Sequence, residues 1–150
     1  MKKYILTLIM FLILLPMSAY AQTNEVTVKV NNFVVDSPVP AQIVNDRTML
    51  PMRSIFERVG AKVTWIESDK IIFATKGNLI ITMQIYNNVM SVQQIENDEI
   101  KKIELDTAPF IKDGSTMVPV RAIAESLGYN VGWDSQTRTV NINTTVNEVN

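Results

Sequence analysis

Apolar and polar residues alternate along this chain in two rhythms. Val26, Val28 and Val30 take turns with polar neighbours, the period of a half-buried strand. Asn31-Asn32 follows where a tight hairpin turn needs positive φ, so Phe33-Val34-Val35 should return antiparallel. Proline donates no ladder hydrogen bond, so the segment 36–40, with Pro38 and Pro40, reads as a loop leading into Gln42-Ile43-Val44. After a turn at Asn45-Asp46 and a short lead-in, the rhythm changes. Met52, Ile55, Phe56 and Val59 fall at i, i+3, i+4 and i+7, a single apolar helical stripe. Pro51 suits the first helical position, where its missing N–H would be unpaired anyway. Gly60 supplies the left-handed residue that ends the helix. A helix of roughly nine residues does not persist alone in water, so a sheet must hold it.

The same stripe returns as Val120, Ile123, Ala124 and Leu127, opened by Pro119 and closed by Gly128. At an offset of 68 the whole of 48–65 recurs without a gap at 116–133. Thr48, Met49, Pro51, Arg53, Ile55, Glu57, Gly60, Val63 and Trp65 meet identical residues there, nine matches in eighteen positions. Phe56 answering Ala124 is the one large change of volume, so the two helices should have unlike surroundings. After each glycine a strand places Val63 with Trp65, and Val131 with Trp133, on one face, which predicts both tryptophans in the core. Polar turns at 67–69 and 134–136 lead to return strands over 70–75 and 138–143. The near-continuous apolar run 79–85 predicts a strand buried on both faces. Further turns at Asn87-Asn88 and Asn97-Asp98 frame strands over 89–92 and 100–105, and Thr107-Ala108-Pro109 brings the chain to the second helix. Every connection is short. The expected fold is therefore one α+β domain over 22–145, antiparallel strands wrapped around two short helices with a pseudo-two-fold internal repeat of 48–65 and 116–133. A polar tail at 146–150 should fray.

Composition narrows the setting. Lys2 and Lys3 precede an apolar run from Ile5 to Leu15, and Ala19-Tyr20-Ala21 offers small residues for cleavage, so 1–21 reads as a secretory signal peptide. The run is shorter than the roughly 20 residues a membrane-spanning helix needs. Removing 21 of 150 residues leaves 129, enough for one domain with a real core. Lys2 and Lys3 leave with the signal, so 14 basic against 15 acidic residues become 12 against 15, a net of −3. No basic arm points to nucleic acid. With no cysteine there are no disulfides and no thiolate metal sites. The expected product is secreted, with no membrane anchor after signal cleavage.

The candidate chemistry is sparse. Arg53 and Glu57, repeated as Arg121 and Glu125, stand at i and i+4 on the outer side of each helix. Such a surface pair contributes only tenths of a kcal/mol, about 0.3, so the recurrence of the arginine predicts a fixed structural partner, such as loop carbonyls near the lead-in. Trp65 and Trp133 could offer stacking platforms for sugars if exposed; Tyr129, Tyr86 and Phe110 are the aromatics expected at the surface. Met49 and Met117 match in position, but without His or Cys companions they read as apolar filling and not as a Cu(I) site. The chain contains no histidine, and no serine sits in a Gly-x-Ser-x-Gly context. Glu57 with Glu125 would be the symmetric choice for a glycosidase pair, but both stand on helix exteriors, open to water and without the secluded setting an acid catalyst requires. No enzyme, cofactor or metal site is expected.

The two copies, Thr-Met-Leu-Pro-Met-Arg-Ser-Ile-Phe-Glu-Arg-Val-Gly-Ala-Lys-Val-Thr-Trp and Thr-Met-Val-Pro-Val-Arg-Ala-Ile-Ala-Glu-Ser-Leu-Gly-Tyr-Asn-Val-Gly-Trp, with lead-ins 41–47 and 108–114, resemble the copper amine oxidase-like N-terminal domain. The resemblance covers nearly all of the mature chain. Pro51, Arg53, Glu57, Gly60, Trp65, Pro119, Arg121, Glu125, Gly128 and Trp133 form its repeated structural signature. The resemblance implies a secreted or envelope-associated stalk domain that stands apart from any oxidase core. The three imidazole ligands and quinone-forming tyrosine of an oxidase have no counterpart in these residues. The implied function is a non-catalytic stalk or interaction module for the cell envelope or another exported protein, with binding of cell-wall glycan as the alternative.

Overall fold

A computed structural model of the chain describes residues 25–145. The expected signal peptide at 1–21 and the tail at 146–150 lie outside the described residues. Strands β1 (Thr27–Val30) and β2 (Phe33–Val34) form the first hairpin. Asn31 and Asn32 take φ of 48° and 67°, the double left-handed turn that matches strand twist.

The lead-ins to the helices are strands in their own right. β3 (Gln42–Val44) and β4 (Arg47–Pro51) make one hairpin, followed by helix α1 (Met52–Arg58). Five strands later along the chain, the same arrangement returns as β10 (Phe110–Lys112), β11 (Ser115–Pro119) and α2 (Val120–Ser126). Adding 68 to the bounds of β3, β4 and α1 gives those of β10, β11 and α2. The four strands form one antiparallel sheet in the order β10-β11-β4-β3. At its centre Leu50 faces Val118, Met49 faces Pro119 and Met117 faces Pro51. Leu50 and Val118 are themselves 68 apart, so corresponding residues meet across this ladder.

Each proline lies one residue earlier than expected. Pro51 (φ −52°, ψ 130°) and Pro119 (φ −72°, ψ 111°) are extended, each closing a strand and preceding a seven-residue helix. Their fixed φ suits either conformation, and the last position of a strand loses least from a missing donor. Neither helix has a side-chain cap. Gly60 and Gly128 end the helices at φ of 72° and 81°. At α1 the Gly60 and Ala61 amides donate back to the Glu57 and Phe56 carbonyls at 3.0 and 2.8 Å, a complete Schellman stop.

Between the helices run β5 (Lys62–Ile66), β6 (Ile71–Lys76), β7 (Leu79–Gln84), β8 (Val89–Gln94) and β9 (Ile100–Glu104), an antiparallel meander paired in chain order. After α2 come β12 (Tyr129–Asp134) and β13 (Thr139–Thr144), in a sheet ordered β12-β13-β1-β2. Two expectations change here. β1 runs parallel to β13, with Thr27 opposite Thr139 and Val30 opposite Ile142, because a distant part of the chain, not a hairpin, supplies this neighbour. β7 buries one face only, through Ile81 and Met83; Leu79 and Ile80 are half-buried because no second layer fully covers them. The architecture is α+β, mostly antiparallel sheet with two short helices.

The apolar stripes of the helices behave as their spacing predicts. Ile55, Phe56, Ile123 and Ala124 have no exposed surface, and they join Leu50, Val118, Ile72, Ile81, Met90 and Ile142 in one core. Helices too short to persist alone are thus held by burial against the sheets.

Candidate functional site

Each helix leaves its strand through a proline, which sets an arginine at the second helical position on the outer surface. Arg53, Glu57, Arg121 and Glu125 are all exposed. Arg121 Nε lies 3.9 Å from Glu125 Oε1; Arg53 and Glu57 form no ion pair among the described residues. The expected bond from these arginines to lead-in carbonyls is not made. The lead-in is β4 or β11, and its backbone is already committed to the sheet.

What the arginines do border is a pair of clefts. One, of about 380 Å³, sets Arg53 and Trp65 against Gly114, Ser115 and Thr116. The other, of about 280 Å³, sets Arg121 and Trp133 against Asp46, Arg47 and Thr48. Positions 46–48 and 114–116 correspond at the offset of 68, as do the arginines and the tryptophans. Each cleft therefore takes its helix and tryptophan strand from one copy and its hairpin turn from the other. The antiparallel β4–β11 ladder causes this crossing, since it lays each turn beside the partner helix.

The tryptophans depart from their expected burial. Trp65 is half-buried and its Nε1–H donates to the Glu67 carboxylate. Trp133 is 41% exposed, and among the described residues its indole N–H has no acceptor. Alternation sets the face of a strand, but a seven-residue helix spans only about 10 Å and covers that face in part. Val63 and Val131 are accordingly only half-buried.

Arg47 is the polar centre of the second cleft. Its Nε donates to Asp106 Oδ2 at 2.7 Å and an Nη donates to the Asp46 carbonyl at 3.1 Å. A neighbouring groove of about 520 Å³ shares Arg47, Thr48 and Arg121 with the Trp133 cleft and adds Lys101, Lys102, Glu104, Asp106 and Glu125. The two hollows therefore adjoin on one face. Arg47 was missed in the sequence: its counterpart is Ser115, a mismatch inside the lead-in that carried no meaning until β4 was placed beside α2.

The remaining candidates fall elsewhere. Glu57 borders a hollow with Val34 and Arg58, while Glu125 borders the 520 Å³ groove, so the two glutamates line different hollows. Met49 and Met117 are fully buried in the β4–β11 ladder, as apolar filling is. Tyr129, expected at the surface, is half-buried: its hydroxyl accepts from Lys76 Nζ and donates to the Val59 carbonyl at 3.4 Å, with the ammonium 4.4 Å from the ring centroid. Phe110 is likewise half-buried, against Met117 in the β10–β11 register; Tyr86 is 71% exposed, as expected. Among the described residues no group of three His, Cys, Asp or Glu is placed to hold a metal ion. No described helix is long and apolar enough to cross a membrane.

The family model described as the copper amine oxidase N-terminal domain matches residues 29–142. No curated protein and no solved structure matches the chain.

Proposed function

The chain belongs to the copper amine oxidase N-terminal domain family, and from that premise we propose that it works as an exported, non-catalytic interaction module. The family domain is the non-catalytic N-terminal part of copper amine oxidases, and this match is the observation that carries the reading. Lys2, Lys3, the apolar run 5–15 and Ala19-Tyr20-Ala21 support export with cleavage after Ala21. On this reading the partner is another exported protein or a component of the cell envelope. The two copies act as halves of a pseudo-two-fold repeat, their strands wrapped about the two helices and joined through β4 and β11. The ten signature residues then serve as framework: prolines and glycines bound the helices, while arginines and tryptophans shape the clefts.

The test has two parts. The mature form found outside the producing cell should begin at Gln22, and when immobilised it should retain a defined envelope component that a heat-unfolded sample does not. Intact Met1–Asn150 chain confined to the cytoplasm, or identical retention by folded and unfolded samples, rejects the proposal.

A second reading is binding of cell-wall glycan. The exposed indole of Trp133 favours it, because an amphipathic ring left half in water is a surface on which the apolar face of a sugar can stack.

A further inference from the structure

Resting on the glycan reading, we propose that the binding site is the Trp133 cleft alone, and that its ligand is a glycan whose pyranose rings carry carboxylate or acetamido oxygens. The indole supplies a flat apolar surface for the C–H face of one ring, and burial of that face removes apolar area from water. Arg121 and Arg47 supply the polar recognition on the same wall. The Arg47 Nε is occupied by Asp106 and one Nη by the Asp46 carbonyl, which fixes the plane of the guanidinium and leaves its remaining N–H groups for a ligand. Arg121 is held only loosely, 3.9 Å from Glu125, and can present a donor fork to a planar acceptor. Guanidinium groups beside an aromatic plane select a ring bearing planar oxygen acceptors over an unsubstituted sugar. Thr48 and the adjoining 520 Å³ groove with Lys101 and Lys102 extend the surface beyond the first ring.

The corresponding cleft of the other copy keeps Arg53, Trp65 and Thr116 but differs around them. Gly114 and Ser115 stand where Asp46 and Arg47 stand, so one of the two guanidiniums is missing. The Trp65 N–H is taken by Glu67, whose counterpart beyond Trp133 is Ser135. Pro38 lines that cleft as well, narrowing access to a half-buried indole.

Titration calorimetry of the full chain with soluble peptidoglycan strands, and separately with cellotetraose, tests the assignment. Trp65→Phe leaves Trp133 as the only tryptophan and Trp133→Phe leaves Trp65, so fluorescence then reports each cleft separately. Peptidoglycan strands should bind wild type and Trp65→Phe, with a change in Trp133 emission, and bind Trp133→Phe and Arg121→Gln at least about tenfold more weakly. Cellotetraose, which keeps the stacking face but lacks carboxylate and acetamido groups, should bind more weakly than peptidoglycan strands by a similar factor. Equal binding by wild type and Trp133→Phe keeps the glycan reading and overturns the site. Equal binding of the two glycans overturns the ligand class. No heat from wild type with either glycan overturns the glycan reading itself and the site with it.

Discussion

Trp65 and Trp133 follow matching helices in matching strands, yet one is half-buried with its N–H bonded to Glu67 and the other is open with no acceptor for its N–H among the described residues. The difference arises from what each copy borrows. The first cleft receives Gly114 and Ser115 from its partner's turn and Pro38 from a loop; the second receives Asp46 and Arg47. The same helix and strand are kept on both sides, while the bordering turns diverge. Repetition thus supplies a frame, and divergence at the turns makes the two faces chemically unlike.

The largest test of that contrast lies under the helices. Phe56 and Ala124 correspond, and both are fully buried. Phe56→Ala should cost about 3–5 kcal/mol, because it opens a cavity in the core. The reverse exchange, Ala124→Phe, should cost about 1–3 kcal/mol by overpacking a site shaped for a methyl group. Urea unfolding of both variants measures this. A stabilising Ala124→Phe would mean that the helices share one environment and that the asymmetry is superficial.

A smaller effect should be equal on the two sides. Gly60 and Gly128 have φ of 72° and 81°, and an added Cβ at either meets nothing within 4 Å. Alanine at each should therefore cost about 1–2 kcal/mol from backbone strain alone. Unequal midpoints in denaturant, by more than about half that amount, would show that the helix ends are not equivalent.

How far the sequence foretold this can be judged from the same residues. The helical stripes, both glycine stops and the Asn31-Asn32 turn were legible because spacing and φ preference are local properties. The lead-ins were not recognised as strands: β3 and β10 are three residues long, and Pro51 and Pro119 argued for a helix start. Their hairpin partners β4 and β11 are adjacent in sequence, but β4 and β11 pair with each other across 68 residues at Leu50 and Val118, beyond the reach of any local pattern. The parallel β1–β13 pair was hidden for the same reason. The signature Arg121 and Trp133 were named in advance, but Arg47 joins them only through the β4–β11 ladder, and Trp133 exposure depends on where a short helix stops. Site legibility therefore ended where long-range pairing began.

A still smaller effect separates the tryptophans themselves. Glu67→Ala should cost about 0.5 kcal/mol, the modest net value of one exposed hydrogen bond. It should also shift Trp65 emission in the Trp133→Phe background, whereas Ser135→Ala should leave Trp133 emission in the Trp65→Phe background unchanged. An unaltered Trp65 spectrum would remove Glu67 from the account of why the first indole is closed.

The smallest effect distinguishes the turns beyond the two tryptophans and appears only against pH. Asp134 accepts from the Thr137 hydroxyl at 2.8 Å and from the Gln136 and Thr137 amides at 2.9 and 3.3 Å, tying the β12–β13 turn. Its counterpart in the first copy is Ile66, which can accept nothing through its side chain. The Thr137 hydroxyl first, then the two amides, hold the Asp134 carboxyl below its ordinary 3.8. A carboxyl with a depressed folded pKa binds protons less readily folded than unfolded. Its contribution to stability is therefore present above pH 3.8 and is lost as pH falls through the lower folded value. Asn at 134 can still accept through Oδ1 but does not titrate. The stability advantage of wild type over Asp134→Asn, followed by urea unfolding from neutral to acid pH, should hold at neutral pH and shrink below 3.8. A difference that stays constant across that range would show that the turn is held by shape, and that its carboxylate charge adds nothing the Ile66 turn lacks.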